Sequence, residues 1–202
     1  AFAILDLDHF KRINESLGHH AGDYLLSTFA SRLANTTKHC DHLFHLGGDE
    51  FAVIASVETL EKAEITAQRL LEAMGPVITI DDKEVIVSAS IGIAMCPFDG
   101  SDATTLVKHA DMAMFSAKEL GRNQHQHFNS NMHTQFLNRL TVEKDIDDAL
   151  KRGEFELHYQ PQVCLVKEPF LRLEALIRWR HPKHGLLAPV HFIPIAEKSG
   201  QI

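Results

Sequence analysis

The stretch Leu46-Gly47-Gly48-Asp49-Glu50-Phe51 sets two adjacent carboxylates on a two-glycine turn between apolar runs, Leu43-Phe44 before it and residues 51–55 after it. Glycine reaches positive φ without steric cost, so the pair suits a hairpin tip and lets another group approach the backbone closely. A plain solvent-facing turn is better served by Asn-Gly or Asp-Gly. Two neighbouring acids repel each other unless a cation, or a ligand carrying cations, lies between them. A second acidic pair ends the first apolar run, residues 2–5, in Asp6-Leu7-Asp8. Strand alternation sends Asp6 and Asp8 to one face and Leu7 to the other. If that strand lies beside the hairpin, both clusters meet at one sheet edge. Oxygen-rich sites of this kind suit Mg²⁺ or Mn²⁺, completed by a phosphate-bearing substrate.

Outward from these segments the pattern alternates. Helices are expected over residues 10–17, 21–35, 60–74 and 103–120, the third closing at Gly75-Pro76 and the fourth opening after Ser101-Asp102. Strands are expected at 43–46, 51–56, 77–80 and 85–95, the last two flanking the turn Asp81-Asp82-Lys83. The order implies an α+β fold with a mainly antiparallel central sheet flanked by helices. A polar stretch over 129–138 marks a boundary, a connecting helix follows over 134–152, and Gly153 opens a new strand over 155–160.

Composition narrows the class. The chain has 202 residues, 45% of them hydrophobic, enough for one to two cores, and a net charge of −7 that argues against nonspecific nucleic-acid binding. Three widely spaced cysteines, Cys40, Cys96 and Cys164, make a disulfide framework improbable and a reducing, cytoplasmic compartment the expectation. No apolar run is long enough to span a bilayer, so no membrane contact is expected from this stretch, and any anchor would lie outside it.

The chain resembles the GGDEF family of diguanylate cyclases. The resemblance is carried by Asp6-Leu-Asp8-His-Phe10-Lys11-Arg-Ile-Asn14, Gly18-His19-His-Ala-Gly22-Asp23 and the literal Gly47-Gly-Asp-Glu-Phe51. It continues through Ser90-Ile-Gly92, Ala110-Asp111-Met-Ala113 to Lys118, and Gly121-Arg122-Asn123. From about Ile146 the chain is similar to the start of an EAL phosphodiesterase domain, through Tyr159-Gln160-Pro161, Glu174-Ala175-Leu176, Arg178-Trp179 and Phe192-Ile-Pro-Ile-Ala-Glu197. The implied organisation is a GGDEF domain over 1–128, trimmed at its N-terminus, a linker and connecting helix over 129–152, and a truncated EAL domain over 153–202. The implied architecture is a palm-like nucleotidyl-cyclase fold followed by an incomplete TIM barrel.

The resemblance assigns roles residue by residue. Asp6, the Leu7 carbonyl and Asp49 become metal ligands, and Glu50 a further ligand or base, around two Mg²⁺ or Mn²⁺ ions per site. Asp8 either touches metal or structures the turn. Asn14 and Asp23 match the guanine-contacting positions, supplying the donor and acceptor that guanine requires. Read locally, they are equally a helix-surface residue and a capping acid. Lys118 and Arg122 match triphosphate contacts, although cations at a helix C-terminus also simply complement its dipole. Read locally, Lys11 adds a point charge at the helix start after the acidic strand end, where backbone amides can face phosphates. The expected partners are GTP, cyclic di-GMP and a second copy of the chain, since a palindromic product needs two facing half-sites.

Two departures stand out. His45 replaces the usual arginine two before Gly47, and Lys38-His-Cys-Asp41 replaces the Arg-x-x-Asp of the inhibitory product site. Lysine lacks a bidentate fork, so product feedback at Lys38 and Asp41 should be weak or lost. In the second segment Gln160, Glu174 and Arg178 match part of a phosphodiesterase site, but a barrel needs about 250 residues to close. Hydrolysis by this chain alone is not expected. Its apolar strand faces, including Leu157, Tyr159 and Leu173, are expected to be covered by other copies. Two alternatives stay open: a catalytically weak GTP-binding GGDEF domain that regulates an attached phosphodiesterase, and an unrelated polymerase-like palm.

Overall fold

The computed structural model describes residues 1–37, 41–80, 82–163 and 171–202. Its contacts separate two compact units, Ala1–His133 and Thr134–Ile202. The first is built on a five-stranded sheet of order β2-β3-β1-β6-β7. The chain runs β1 (Phe2–Leu7), α1 (Phe10–Leu17), α2 (His19–Thr36), β2 (His42–Gly47), β3 (Glu50–Ile54) and α3 (Leu60–Met74). It continues through β4 (Ile78–Ile80), β5 (Lys83–Val85), β6 (Ala89–Ala94), α4 (Ala103–Glu119) and β7 (Gln124–His127). All sheet pairings are antiparallel except β6 with β7.

Alternation along β1 divides the apolar residues between two layers. Ala3, Leu5 and Leu7 face a core formed with Phe51 and Val53, Leu25, Phe29 and Leu33 of α2, and Ala63, Ala67 and Leu70 of α3. Ile4 faces the other way, onto Ala94 of β6 and Ala110 and Met114 of α4. Helix boundaries follow local chemistry. The Thr59 hydroxyl accepts from the Lys62 amide at α3, and the Asp102 carboxylate accepts from the Thr105 amide at 2.9 Å at α4.

The run over 85–95 departs from the expected single strand. It breaks at Ile86–Ser88, so that β4 and β5 form a separate two-stranded ribbon while β6 enters the main sheet beside β1. The break turns the Ser88 carbonyl toward the Asp8 amide, which donates to it at 2.8 Å. β7 adds a parallel edge strand where no strand was expected. The connecting helix, α5 (Ser130–Arg152), starts four residues before the expected boundary because the Asn129 side chain accepts from the amides of Asn131 and Met132.

The second unit contains β8 (Phe155–Val163), β9 (Leu171–His181), β10 (Gly185–Leu187), a 3-10 turn (Pro189–His191) and α6 (Ile193–Ser199), with sheet order β10-β9-β8. Val142, Ile146 and Ala149 of α5 pack with Trp179, Phe192 and Ala196. Trp179 is fully buried, and its indole N–H donates to Glu154 at 3.0 Å. That bond and the neighbouring Arg152 hold the Glu154 carboxyl below its ordinary pKa. Leu157, Tyr159, Val163 and Leu173 are exposed.

Candidate functional site

The β2-β3 hairpin brings its acidic tip to the end of β1. Asp6 pairs directly with Glu50 across β1 and β3, so the two carboxylates share one face. The Leu7 amide donates to the Asp49 carbonyl at 3.2 Å, fixing the tip against the strand end. Both glycines are needed for their backbone: φ is 126° at Gly47 and 57° at Gly48. The pairing register shifts between His45 and Gly47. His45 braces this irregularity, its ring N–H donating to the Gly48 carbonyl at 3.0 Å while its face lies 4.8 Å from the Phe51 ring. The residue that departs from the family pattern therefore supports the turn.

The same sheet face receives α4. Gly92 lies opposite Ile4, and a Cβ there would stand 1.9 Å from the Ala110 carbonyl and 2.2 Å from the Met114 amide. This backbone contact seats α4 low enough for the Lys118 ammonium to reach the Asp6 carboxylate at 2.7 Å. Burial raises the Asp6 pKa above its ordinary value; the hydrogen bond and charge of Lys118 oppose that rise, and the charges of Asp49 and Glu50 add to it. Three carboxylates thus act on one another at this edge, against one ammonium.

Asp8, buried at 4% exposure, holds the neighbouring elements together. It accepts from the Ser88 hydroxyl at 2.6 Å, the Ser90 hydroxyl at 2.8 Å and the Asn123 amide at 3.1 Å, and the Arg122 guanidinium stands 3.9 Å away. The turn after α4 is left-handed, with φ of 117° at Gly121, 63° at Arg122 and 48° at Asn123. Asp8 pins that turn, and with it the basic end of α4, to β1 and β6. Of its two open roles the structural one has the hydrogen bonds. The roles of Ser88, Ser90 and Asn123 were missed, although both serines and the Arg122-Asn123 pair stand in plain sequence. A cavity of about 380 Å³ opens beside this hub between α1 and β5, with His9, Arg12 and Ser88 in its lining.

The other expected site residues lie on α1, on α2, before β2 and in the second unit. Lys11 is exposed and pairs loosely with Glu15 at 3.9 Å. Asn14 lies on α1 with its side-chain oxygen buried against Gly22 of α2, and Asp23, the next residue, is exposed. Asp41 accepts from the Ser56 amide at 3.2 Å; Lys38, with Cys40 and Cys164, lies outside the described residues. Cys96 is a free, exposed thiol. In the second unit Gln160 pairs directly with Glu174 across β8 and β9, and Arg178, four residues further along β9, shares their face.

The acidic edge suits a hard divalent cation by its chemistry: carboxylates only, with no sulfur or imidazole among them, and one acid whose pKa is raised by burial, with the like charges of Asp49 and Glu50 adding to the rise. Among the described residues no three such side chains are close enough to enclose an ion by themselves. A cation held here would draw its remaining oxygens from elsewhere, as Mg²⁺ commonly does from phosphate and water.

Residues 1–124 match the family described as diguanylate cyclase, GGDEF domain. The chain belongs to the GGDEF family. Residues 143–202 of this GGDEF chain match the EAL domain. Two relatives from Pseudomonas aeruginosa align with its whole length: the cyclic di-GMP phosphodiesterase NbdA at 40% identity, and the bifunctional diguanylate cyclase/cyclic di-GMP phosphodiesterase MucR at 41%. The chain spans 26% and 30% of their lengths. The solved structure of an N-terminally truncated mutant of YfiN (TpbB) from the same organism, comprising only its GGDEF domain, superposes with a TM-score of 0.65 at 34% identity, covering 67% of this chain and 80% of that one. The α+β fold is thus that of GGDEF structures. Among the described residues no helix is long and apolar enough to cross a membrane.

Proposed function

We propose that the first unit is a diguanylate cyclase half-site that binds one GTP, and that two copies condense two GTP into cyclic di-GMP with release of pyrophosphate. The observation that carries this reading is the meeting of Asp6, Asp49 and Glu50 at one sheet edge beside Lys118. In this reading Asp6, the Leu7 carbonyl, Asp49 and Glu50 would hold two Mg²⁺ or Mn²⁺ ions, and such ions would supply Lewis-acid activation of a ribose hydroxyl and neutralisation of phosphate charge. Glu50 alternatively takes the hydroxyl proton. Lys118 and Arg122 stabilise charge on the triphosphate, with Lys11 and the first turn of α1 as further donors. Asn14 and Asp23 select guanine. Each α-phosphorus gains a bond to the partner's hydroxyl oxygen as its bond to pyrophosphate breaks, so both half-sites are needed for the ring.

The longer protein, like MucR, would also carry phosphodiesterase activity, to which Gln160, Glu174 and Arg178 contribute. A second reading, a GTP-binding domain that regulates the attached phosphodiesterase, is favoured by the relative NbdA, named for phosphodiesterase activity alone. Incubation of the chain with GTP and Mg²⁺ or Mn²⁺, with Glu50→Gln alongside, separates the two. Cyclic di-GMP from the wild type and none from Glu50→Gln is the expected result. GTP bound by the wild type without any product would move the assignment to the regulator.

A further inference from the structure

The signature Gly18-His19-His-Ala-Gly22-Asp23 contains a glycine with no local reason to be one. Gly22 lies inside α2 and does not adopt positive φ. Glycine is among the poorest residues for a helix interior, and alanine the best. What the position lacks is room for a side chain. A Cβ built on Gly22 would stand 1.9 Å from the Asn14 side-chain oxygen, 2.9 Å from its Cγ and 3.2 Å from Phe10 Cζ.

The obstruction is the end of one side chain, not the backbone of α1. The Asn14 oxygen it protects is buried and has no hydrogen-bond partner among the described residues. A buried acceptor left unmade opposes folding. The fold therefore gains no hydrogen bond from that oxygen, and a helix-forming residue has been given up to keep it there. Both concessions make sense if the amide serves a ligand.

We propose that Gly22 is a specificity-determining residue: the notch it leaves between α1 and α2 seats the Asn14 amide, and through that amide sets the preference of the triphosphate site for guanine. The proposal rests on the reading of Asn14 and Asp23 as base contacts. Adding a single methyl group at Gly22 should rotate Asn14 out of place while leaving Asp6, Asp49, Glu50 and Lys118 undisturbed. Gly22 touches no nucleotide itself and acts as a positioning residue.

The test uses the full chain and two probes that cannot lose pyrophosphate, the α,β-methylene analogues of GTP and ATP, titrated calorimetrically in Mg²⁺. The wild type should prefer the guanine probe by about tenfold or more, and Gly22→Ala should reduce that preference to within about threefold of parity. Its melting temperature should equal or exceed that of the wild type, since alanine improves the helix. Asn14→Ala should lose the same preference, and the double variant Asn14→Ala/Gly22→Ala should lose no more than either alone. Retention of the wild-type preference by Gly22→Ala, or additive losses in the double variant, would overturn the proposal. A wild type without guanine preference would instead remove the reading of Asn14 and Asp23 on which it stands. If Gly22→Ala melts too low to titrate, the double variant, freed of the obstructed amide, carries the comparison: a preference below that of Asn14→Ala refutes the proposal, and an equal one supports it.

Discussion

Replacing Gly92 by alanine is the sharpest test of how the site is assembled. Propensity alone predicts a gain, because glycine weakens a strand interior. The geometry predicts the reverse. The added Cβ would lie 1.9 Å from the Ala110 carbonyl, 2.2 Å from the Met114 amide and 2.8 Å from Met114 Cα, all of them backbone atoms of α4. No rotamer change relieves such a contact, so the helix must rise by about 1 Å. Overpacking of this kind costs about 1–3 kcal/mol. Displacing a whole helix that covers Ile4 and Ala94 puts the change at the upper end, about 3 kcal/mol. For a unit of this size that corresponds to a fall in melting temperature of roughly 9–15 °C. The same lift carries Lys118 away from Asp6, now 2.7 Å distant, toward the limit of a hydrogen bond. Calorimetric melting, with triphosphate titration on the folded variant at lower temperature, reads both effects. A variant within about 0.5 kcal/mol of the wild type would refute the claim that backbone contact at Gly92 seats α4.

Two further outcomes follow from the acidic edge. Burial raises the folded-state pKa of Asp6 above its unfolded value, so the stability linked to its neutral form is complete below the unfolded value and is lost as pH rises through the folded one. Asp6→Asn should therefore melt above the wild type at pH 7, and the gap should close at about pH 3; a gap of constant size would contradict the linkage. On the proposed reading, Asp6→Asn should form no cyclic di-GMP from GTP. Asp8→Asn should cost about 2 kcal/mol, because an amide cannot accept from Ser88, Ser90 and the Asn123 N–H together, and it should raise the KM for GTP more than it lowers kcat. Loss of kcat alone with unchanged stability would point to metal ligation by Asp8.

Much of this was legible because the deciding signals were local. The Gly75-Pro76 pair closes α3, and the two glycines before Asp49-Glu50 mark the hairpin tip. β7 escaped notice because Gln124-His-Gln-His127 has neither apolar alternation nor a turn partner; it is held by parallel pairing with β6. The break at Ile86–Ser88 lies inside a mostly apolar run, and the bonds that tie Asp8, at the end of a distant strand, to Ser88 and Ser90 are not visible in sequence. Asp8 itself shows the limit most clearly. Its bonds reach partners 80, 82 and 115 residues away, and no window of sequence displays that convergence. The acids of the site were readable by type and spacing, whereas the dependence of Asn14 on the missing side chain of Gly22 required coordinates.

The chain has one tryptophan, and Trp179 lies at the centre of the second unit's core beside Phe155 and Phe192. Intrinsic fluorescence excited at the indole band is consequently an optical reporter for that unit alone. Circular dichroism sums both units, so the difference between the two melting traces isolates the first unit without a label, an added mutation or separation of the halves.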